Sequence, residues 1–202
     1  MTETDGSVAV AALEHNDLIG RFLDELEAPA PSASGGTAAA VVAAMSASIV
    51  VMVGRGSPDW EDGAGVAAQA RALRTRLVEL GTEDAEVYAG VIQLMRESEG
   101  ASSEQRDFQL GRKLIAAAEV PLRIAEAAAD VSELAALAAT EGKAALRPDA
   151  VAAATLAEAA VRASAHLVDI NLATVPGDSR SDQAAALSAA AESARQRALG
   201  TA

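Results

Sequence analysis

The chain has 202 residues, half of them hydrophobic but only 2% aromatic, and a net charge of −13. It has no cysteine, which excludes disulfides, thiolate nucleophiles and zinc–thiolate sites. The acidic balance disfavours nucleic acid and anionic membrane surfaces, both of which need clustered Lys and Arg.

One domain spanning 1–202 is expected from this length, with 1–15 as a loose leader. With so few aromatics, the core must come from Leu, Val, Ile and much Ala. Alanine allows close helix–helix approach but buries little area per residue. Many tightly packed helices follow, together with a partner subunit to complete the burial, so a homodimer is expected. The segment MTETDGS is acidic and lacks a positively charged region followed by an apolar one. It therefore reads as no secretory signal, and a cytoplasmic protein is expected. His15 and His166 lie far apart, which argues against a histidine-rich metal site; no metal and no cofactor are expected.

The first helix fits NDLIGRFLDELEA, with Asn16 or Asp17 as N-cap and Leu18, Phe22 and Leu26 at helical spacing. Pro29 and Pro31 end it. PAPSASGGTAAA, residues 29–40, is then either a plain turn and cap or a loop that lets a ligand approach backbone. From Gly36 to Gly54 the chain carries no charge. That length would span a membrane, but its Ala and Ser content favours a central helix buried among others. Ser57, Pro58 and Asp59 suit the start of the next helix, which runs through Leu73, Leu77, Leu80, Val87, Val91, Leu94 and Met95 as one stripe. Gly81 and Gly90 weaken its continuity.

SEGASSEQ reads as a polar loop. A long helix from about Glu104 to Ala139 follows, kinked by Pro121. After TEGKAALRPD, Pro148 sits well at a helix N1 position, and a fifth helix runs to about Ala173. TVPGDSRSD precedes a terminal helix with Asp178 or Ser179 as cap. No segment alternates as a strand would, so the expected fold class is all-α, a bundle of five to six helices, some long and one Pro-kinked.

Acids at helix starts beside breaks are the first candidates for chemistry. Asp149 follows Pro148, where it either complements the helix dipole or acts on a ligand. Asp84, after the glycine in GTEDAEVYAG, is either a solvated acid or a functional one. Asn171 lies between apolar neighbours in LVDINLA and needs a hydrogen-bond partner, from the protein or from a ligand. His166 and Asp169 are spaced to pair on one helix face. Tyr88 and Trp60 are able to stack on a flat ligand or to pack in the core. No P-loop, nucleophile motif or dinucleotide fingerprint is present; Gly35-Gly36 opens a helix without a preceding strand.

The order of these pieces carries more than each alone. FLDELEAPAPSASGGTAAAVVAAMSASIVVMV resembles the opening of the formiminotetrahydrofolate cyclodeaminase and methenyltetrahydrofolate cyclohydrolase family. EDAEVYAGVI, AAAEVPLRIAEAA, LRPDAVAAATLAEAAVRAS and VDINL resemble later segments of that family in the same order, across roughly residues 18 to 175. The resemblance implies an all-helical dimer acting on folate-bound one-carbon units, with a tetrahydrofolate derivative as substrate. Deamination of formiminotetrahydrofolate closes a ring to a methenyl amidinium cation and expels ammonia; the cyclohydrolase reaction adds water to that cation. A buried carboxylate would stabilise it and relay a proton. The resemblance gives that role to Asp149 and to Asp84, with Ser34, Gly35, Gly36, Thr37, Tyr88 and Asn171 as substrate-binding residues.

The chain also departs from the family. Ala33, Ser34, Gly35, Gly36 and Thr37 stand where the pattern has Pro-Gly-Gly-Gly-Ser, Lys143 follows Gly142 where it has Asn, and Leu167 replaces the first Asn of Asn-Val-x-Ile-Asn. The acidic SPDWEDG replaces a basic stretch, which implies weaker attraction for a polyglutamate tail. Two other readings stay open: an enzyme of specialised metabolism acting on a non-folate cyclic iminium or amidine, and a non-catalytic helical dimer.

Overall fold

The computed structural model describes residues 17–28, 33–97 and 103–200, and all regular structure in them is helical. A first helical stretch, α1, covers 17–27. Six helices follow: α2 (Gly35–Arg55), α3 (Gly63–Glu97), α4 (Ser103–Ala117), α5 (Glu119–Glu141), α6 (Arg147–Asn171) and α7 (Ser179–Leu199). A short 3-10 turn, Ala144–Leu146, leads into α6. The expected leader, Asn16, Pro29, Pro31 and most of SEGASSEQ lie outside the described residues.

α2, which carries no charge before Arg55, packs against α3, α5 and α6, as its composition requires. Ala40, Ala43, Ala47, Val50 and Val53 are fully buried along it. The core is built largely of such alanines, which let helix axes approach closely where bulkier residues would hold them apart. At Gly81 on α3, an added Cβ would already stand 3.4 Å from the Ala40 Cβ. Gly81 therefore serves close packing, and α3 runs through it and through Gly90 without interruption. Serines tie the layers: Ser46 Oγ donates to the Ala153 carbonyl at 2.7 Å, and Ser132 Oγ to that of Ala154 at 3.4 Å. By length and composition α2 would cross a membrane, as would Ala144–Asn171. Here one face of α2 forms the centre of the bundle and the other leaves Met45 and Met52 exposed.

Two boundaries differ from the expectation. Ser57, Pro58 and Asp59 do not start α3, which begins at Gly63. Instead Ser57 Oγ donates to the Val53 carbonyl and accepts the Lys143 amide, both at 2.8 Å, closing the end of α2 onto the turn before α6. The long helix expected over 104–139 is two helices, broken at Ala118. Proline lacks an N–H and its ring collides with the carbonyl four residues earlier, here that of Ala117. The break falls beside that carbonyl, and Asn171 Nδ2 from the end of α6 donates to it at 3.4 Å.

Candidate functional site

The N-terminus of α2 is built by Ser34 and Thr37. Ser34 Oγ accepts from the Gly36 amide at 3.1 Å and the Thr37 amide at 3.5 Å, while Thr37 Oγ1 accepts the Ser34 amide at 3.2 Å. This reciprocal cap satisfies donors that a helix start leaves free. Both hydroxyls keep their own protons for a third group. Ser34 Oγ and Thr37 Oγ1 each donate to Asp84 Oδ2 on α3, the latter at 3.0 Å.

Asp84 is thus fixed from two sides. Its side chain is 6% exposed, and its carboxylate lies against the backbone of Gly36. Through the Ser34 hydroxyl it is coupled to the positive end of α2, an arrangement that favours negative charge. Oδ2 takes both hydroxyls, and among the described residues no hydrogen bond is directed at Oδ1.

The carboxylate faces a pocket of about 420 Å³, within the range of small-molecule sites. Ser34, Gly35, Asp84, Tyr88 and Asn171 contribute its polar atoms or exposed backbone. Tyr88 stands one helical turn after Asp84 on α3. The rest is apolar: Leu26 from α1, Val87 and Val91 from α3, Leu114 and Ala117 from α4, Pro121 from α5, and Leu167 and Ile170 from α6. One carboxylate in an apolar cavity suits a flat ligand that carries or develops positive charge.

Five of the eight residues singled out from sequence, Ser34, Gly35, Asp84, Tyr88 and Asn171, therefore line one pocket, and Thr37 and Gly36 join them from behind Asp84. Asp149 does not. It is exposed in the first turn of α6, at the opposite end from Asn171. At 1.5 Å per residue, the 22 intervening steps separate the two by about 33 Å along the helix. At the head of α6 Asp149 complements the helix dipole, and among the described residues lining the pocket Asp84 is the one carboxylate. His166 and Asp169 are both exposed and line a different surface groove, and Trp60 packs against the main core. Among the described residues no group of three His, Asp or Glu side chains is placed to hold a metal ion.

Sequence reasoning did not assign Leu26, Leu114, Ala117, Pro121 and Ile170 to the pocket. Only Pro121 carried a usable signal, since its helix break opens the wall on which Ala117 and Leu114 lie. Leu167, noted as a departure from the family pattern, lines the pocket with its Cδ1 close to Gly35. Lys143, the other departure, sits at the far end of the bundle beside Ser57.

The family model for formiminotransferase-cyclodeaminase matches residues 18–194. Among solved structures, the chain is similar to the crystal structure of formiminotetrahydrofolate cyclodeaminase from Thermotoga maritima, with 24% identity and a TM-score of 0.75. That match covers 89% of this chain and 92% of the other, a likeness of fold along nearly the whole length. No curated protein matches. By the extent of the family match, together with the helical order it shares with that structure, the chain belongs to the formiminotransferase-cyclodeaminase family.

Proposed function

We propose that the chain is a folate one-carbon enzyme of the cyclodeaminase or methenyltetrahydrofolate cyclohydrolase type, with Asp84 as its charge-stabilising carboxylate. The observation that carries this reading is the position of Asp84: buried, locked by Ser34 and Thr37, and facing an apolar pocket of about 420 Å³.

In the cyclodeaminase direction, a nitrogen lone pair attacks the carbon of the protonated formimino group and closes the ring, leaving an amino group on that carbon. The proton lost by the attacking nitrogen passes to the departing amino nitrogen, which leaves as ammonia, and the carbon becomes the centre of an amidinium cation. The Asp84 carboxylate stands in the pocket wall and is suited to receive and return that proton. The resulting positive charge then faces a fixed anion in low-dielectric surroundings. In the cyclohydrolase direction the same carboxylate would accept a proton from water as it adds to the cation. Tyr88 offers a ring face to a flat heterocycle, and Gly35 exposes backbone at the pocket wall. The protein's own groups suffice for this chemistry without a cofactor.

The reading extends to a cytoplasmic homodimer. Met45 and Met52, 58% and 42% exposed on the apolar α2, support a second copy at that face.

A second reading, a non-folate cyclic iminium or amidine as substrate, is favoured by Leu167. An apolar side chain stands in the pocket wall where the family resemblance has an amide, so a polar contact to the ligand is replaced. Asp84 would keep its role in that case.

Thermal unfolding with tetrahydrofolate or its formyl derivative, combined with turnover of Asp84→Asn, tests the proposal. The folate reading expects a raised melting temperature and a fall in turnover of about a hundred- to a thousandfold in the folded variant. No thermal shift at millimolar ligand would favour the second reading. Unchanged turnover in Asp84→Asn would remove Asp84 from the chemistry altogether.

A further inference from the structure

We infer that Arg180 is a positioning residue of the Asp84 pocket, latching α4 as a lid that turns about the break at Ala118. This rests on the reading of that pocket as the ligand site and adds to it a way in and a way to close.

α4 differs from the helices around it. Of its described side chains only Ala117 is buried, whereas most of α5 is. Gly111 in mid-helix serves no packing need, since an added Cβ would meet nothing within 4 Å. A glycine there weakens the helix without a compensating contact. A segment held by so little apolar area belongs to the low-stability end of a fold. Its inner end is what holds it. Leu114 and Ala117 form part of the pocket wall, and Ile115 packs on a small cluster around Leu122, Val168 and Leu172, apart from the main core.

The joint between α4 and α5 depends on side chains from elsewhere. The Ala118 and Leu122 amides still reach back, to the Leu114 and Ala118 carbonyls at 3.1 and 3.3 Å. Among the described residues no backbone donor takes the carbonyls of Ile115 and Ala117. For Ala117 the donor four residues on would be Pro121, which has no N–H. Each carbonyl is taken instead from another helix: that of Ala117 by Asn171 Nδ2 at the end of α6, that of Ile115 by Arg180 Nη1 at the start of α7. The Asn171 contact is 3.4 Å long, while that of Arg180 is 2.9 Å and charge-assisted, the stronger of the two. Arg180 is also aimed in advance, because Asp178 holds its Nε and Nη2 at 2.9 and 2.8 Å. Breaking that one bond frees the inner end of α4 while α5, α6 and α7 keep their packing.

Turning α4 outward takes Leu114 from the pocket wall and admits a ligand. Closing it returns an apolar side chain against the ligand and expels water. A cation forming in the pocket then meets the Asp84 charge without bulk water to screen it.

Amide hydrogen exchange on the intact protein, read by mass spectrometry, tests the latch. In the parent, α4 amides should exchange at least about tenfold faster than those in the core of α5. Arg180→Ala keeps the backbone amide that Asp178 caps, and should speed exchange in α4 about tenfold further without changing the cores of α5 and α6. Pro121→Ala gives the Ala117 carbonyl a backbone donor and should act oppositely, slowing α4 towards α5. It decides where Arg180→Ala fails to fold: unchanged α4 exchange in Pro121→Ala overturns the hinge. Parent α4 exchanging as slowly as α5, or an Arg180→Ala effect spread evenly over the bundle, overturns the lid. Formyltetrahydrofolate as probe should slow exchange in α4 and leave Arg180→Ala about tenfold faster than the parent. Protection of α3 and α6 without α4 would overturn the lid and leave the folate reading standing. If the probe protects no helix, the folate reading fails, and exchange in the ligand-free variants still decides the lid.

Discussion

The Asp84 carboxylate occupies the space that a side chain at Gly36 would need. A Cβ at Gly36 would stand 2.7 Å from both Cγ and Oδ2 of Asp84, and nearer still to Oδ1. The second glycine of the α2 junction is thus required by the acid on α3, a dependence across 48 residues of sequence.

Gly36→Ala should therefore push Asp84 out of its hydroxyl cradle. The expected result is loss of turnover with a stability cost of about 1–3 kcal/mol, the range for forced overpacking. Gly35→Ala is the control for stability. Its added methyl would meet nothing nearer than Leu167 Cδ1 at 3.9 Å, so its unfolding free energy should stay within about 0.5 kcal/mol of the parent. Equal destabilisation of the two variants in urea would contradict the assignment of Gly36 as the packing position.

Asp149→Asn should keep its turnover. Asp149 is exposed at the head of α6, so the substitution removes only a favourable charge–dipole interaction, about 0.3–1 kcal/mol. Steady-state kinetics beside Asp84→Asn gives the comparison directly. A collapse of activity in Asp149→Asn would instead show that another copy of the chain delivers this carboxylate to the pocket.

These two acids mark how far the sequence was informative. Both follow a break and both precede an Ala-rich helical run, so their local patterns are nearly alike. What separates them is the helix start across the bundle: Ser34 and Thr37 reach Asp84, and among the described residues no such partner reaches Asp149. The Gly81 interruption was also misleading in a useful way. It drew attention to Asp84 as a helix-start acid, whereas α3 passes straight through and Gly81 is there to let Ala40 approach. The helices themselves were legible because apolar periodicity and Pro or Gly punctuation are local signals. The apolar pocket wall was not, since Leu114, Leu167 and Ile170 look in sequence like any residue facing a core.

Asn171→Ala should destabilise the protein by about 1–3 kcal/mol, because it leaves the Ala117 carbonyl without its side-chain donor next to a residue with no N–H. The cost depends on Pro121. Restoring a backbone donor with Pro121→Ala should reduce the effect of Asn171→Ala, so the two substitutions should be less than additive in a double-mutant cycle. Strict additivity in urea unfolding would mean that Asn171 supports the pocket wall by some contact other than this carbonyl.

The last wall of the pocket is held from α7. Asp178 caps that helix through the Arg180 amide at 3.0 Å and also binds the Arg180 guanidinium at 2.8 and 2.9 Å. Arg180 Nη1 in turn donates to the Ile115 carbonyl at 2.9 Å, on the stretch of α4 that carries Leu114 and Ala117. The side-chain hydrogen bonds from Arg180, aided by the amide, lower the Asp178 carboxyl from 3.8 to about 2. A depressed folded-state value means that the unfolded chain takes up the proton first on acidification. The contribution is complete above about pH 4 and is lost as pH falls towards 2. Asp178→Asn retains a capping side chain but not the charge. Its unfolding free energy should therefore lie below the parent's at neutral pH and converge with it near pH 2. Parallel curves across that window would show that the Asp178–Arg180 pair contributes nothing to the anchoring of α4.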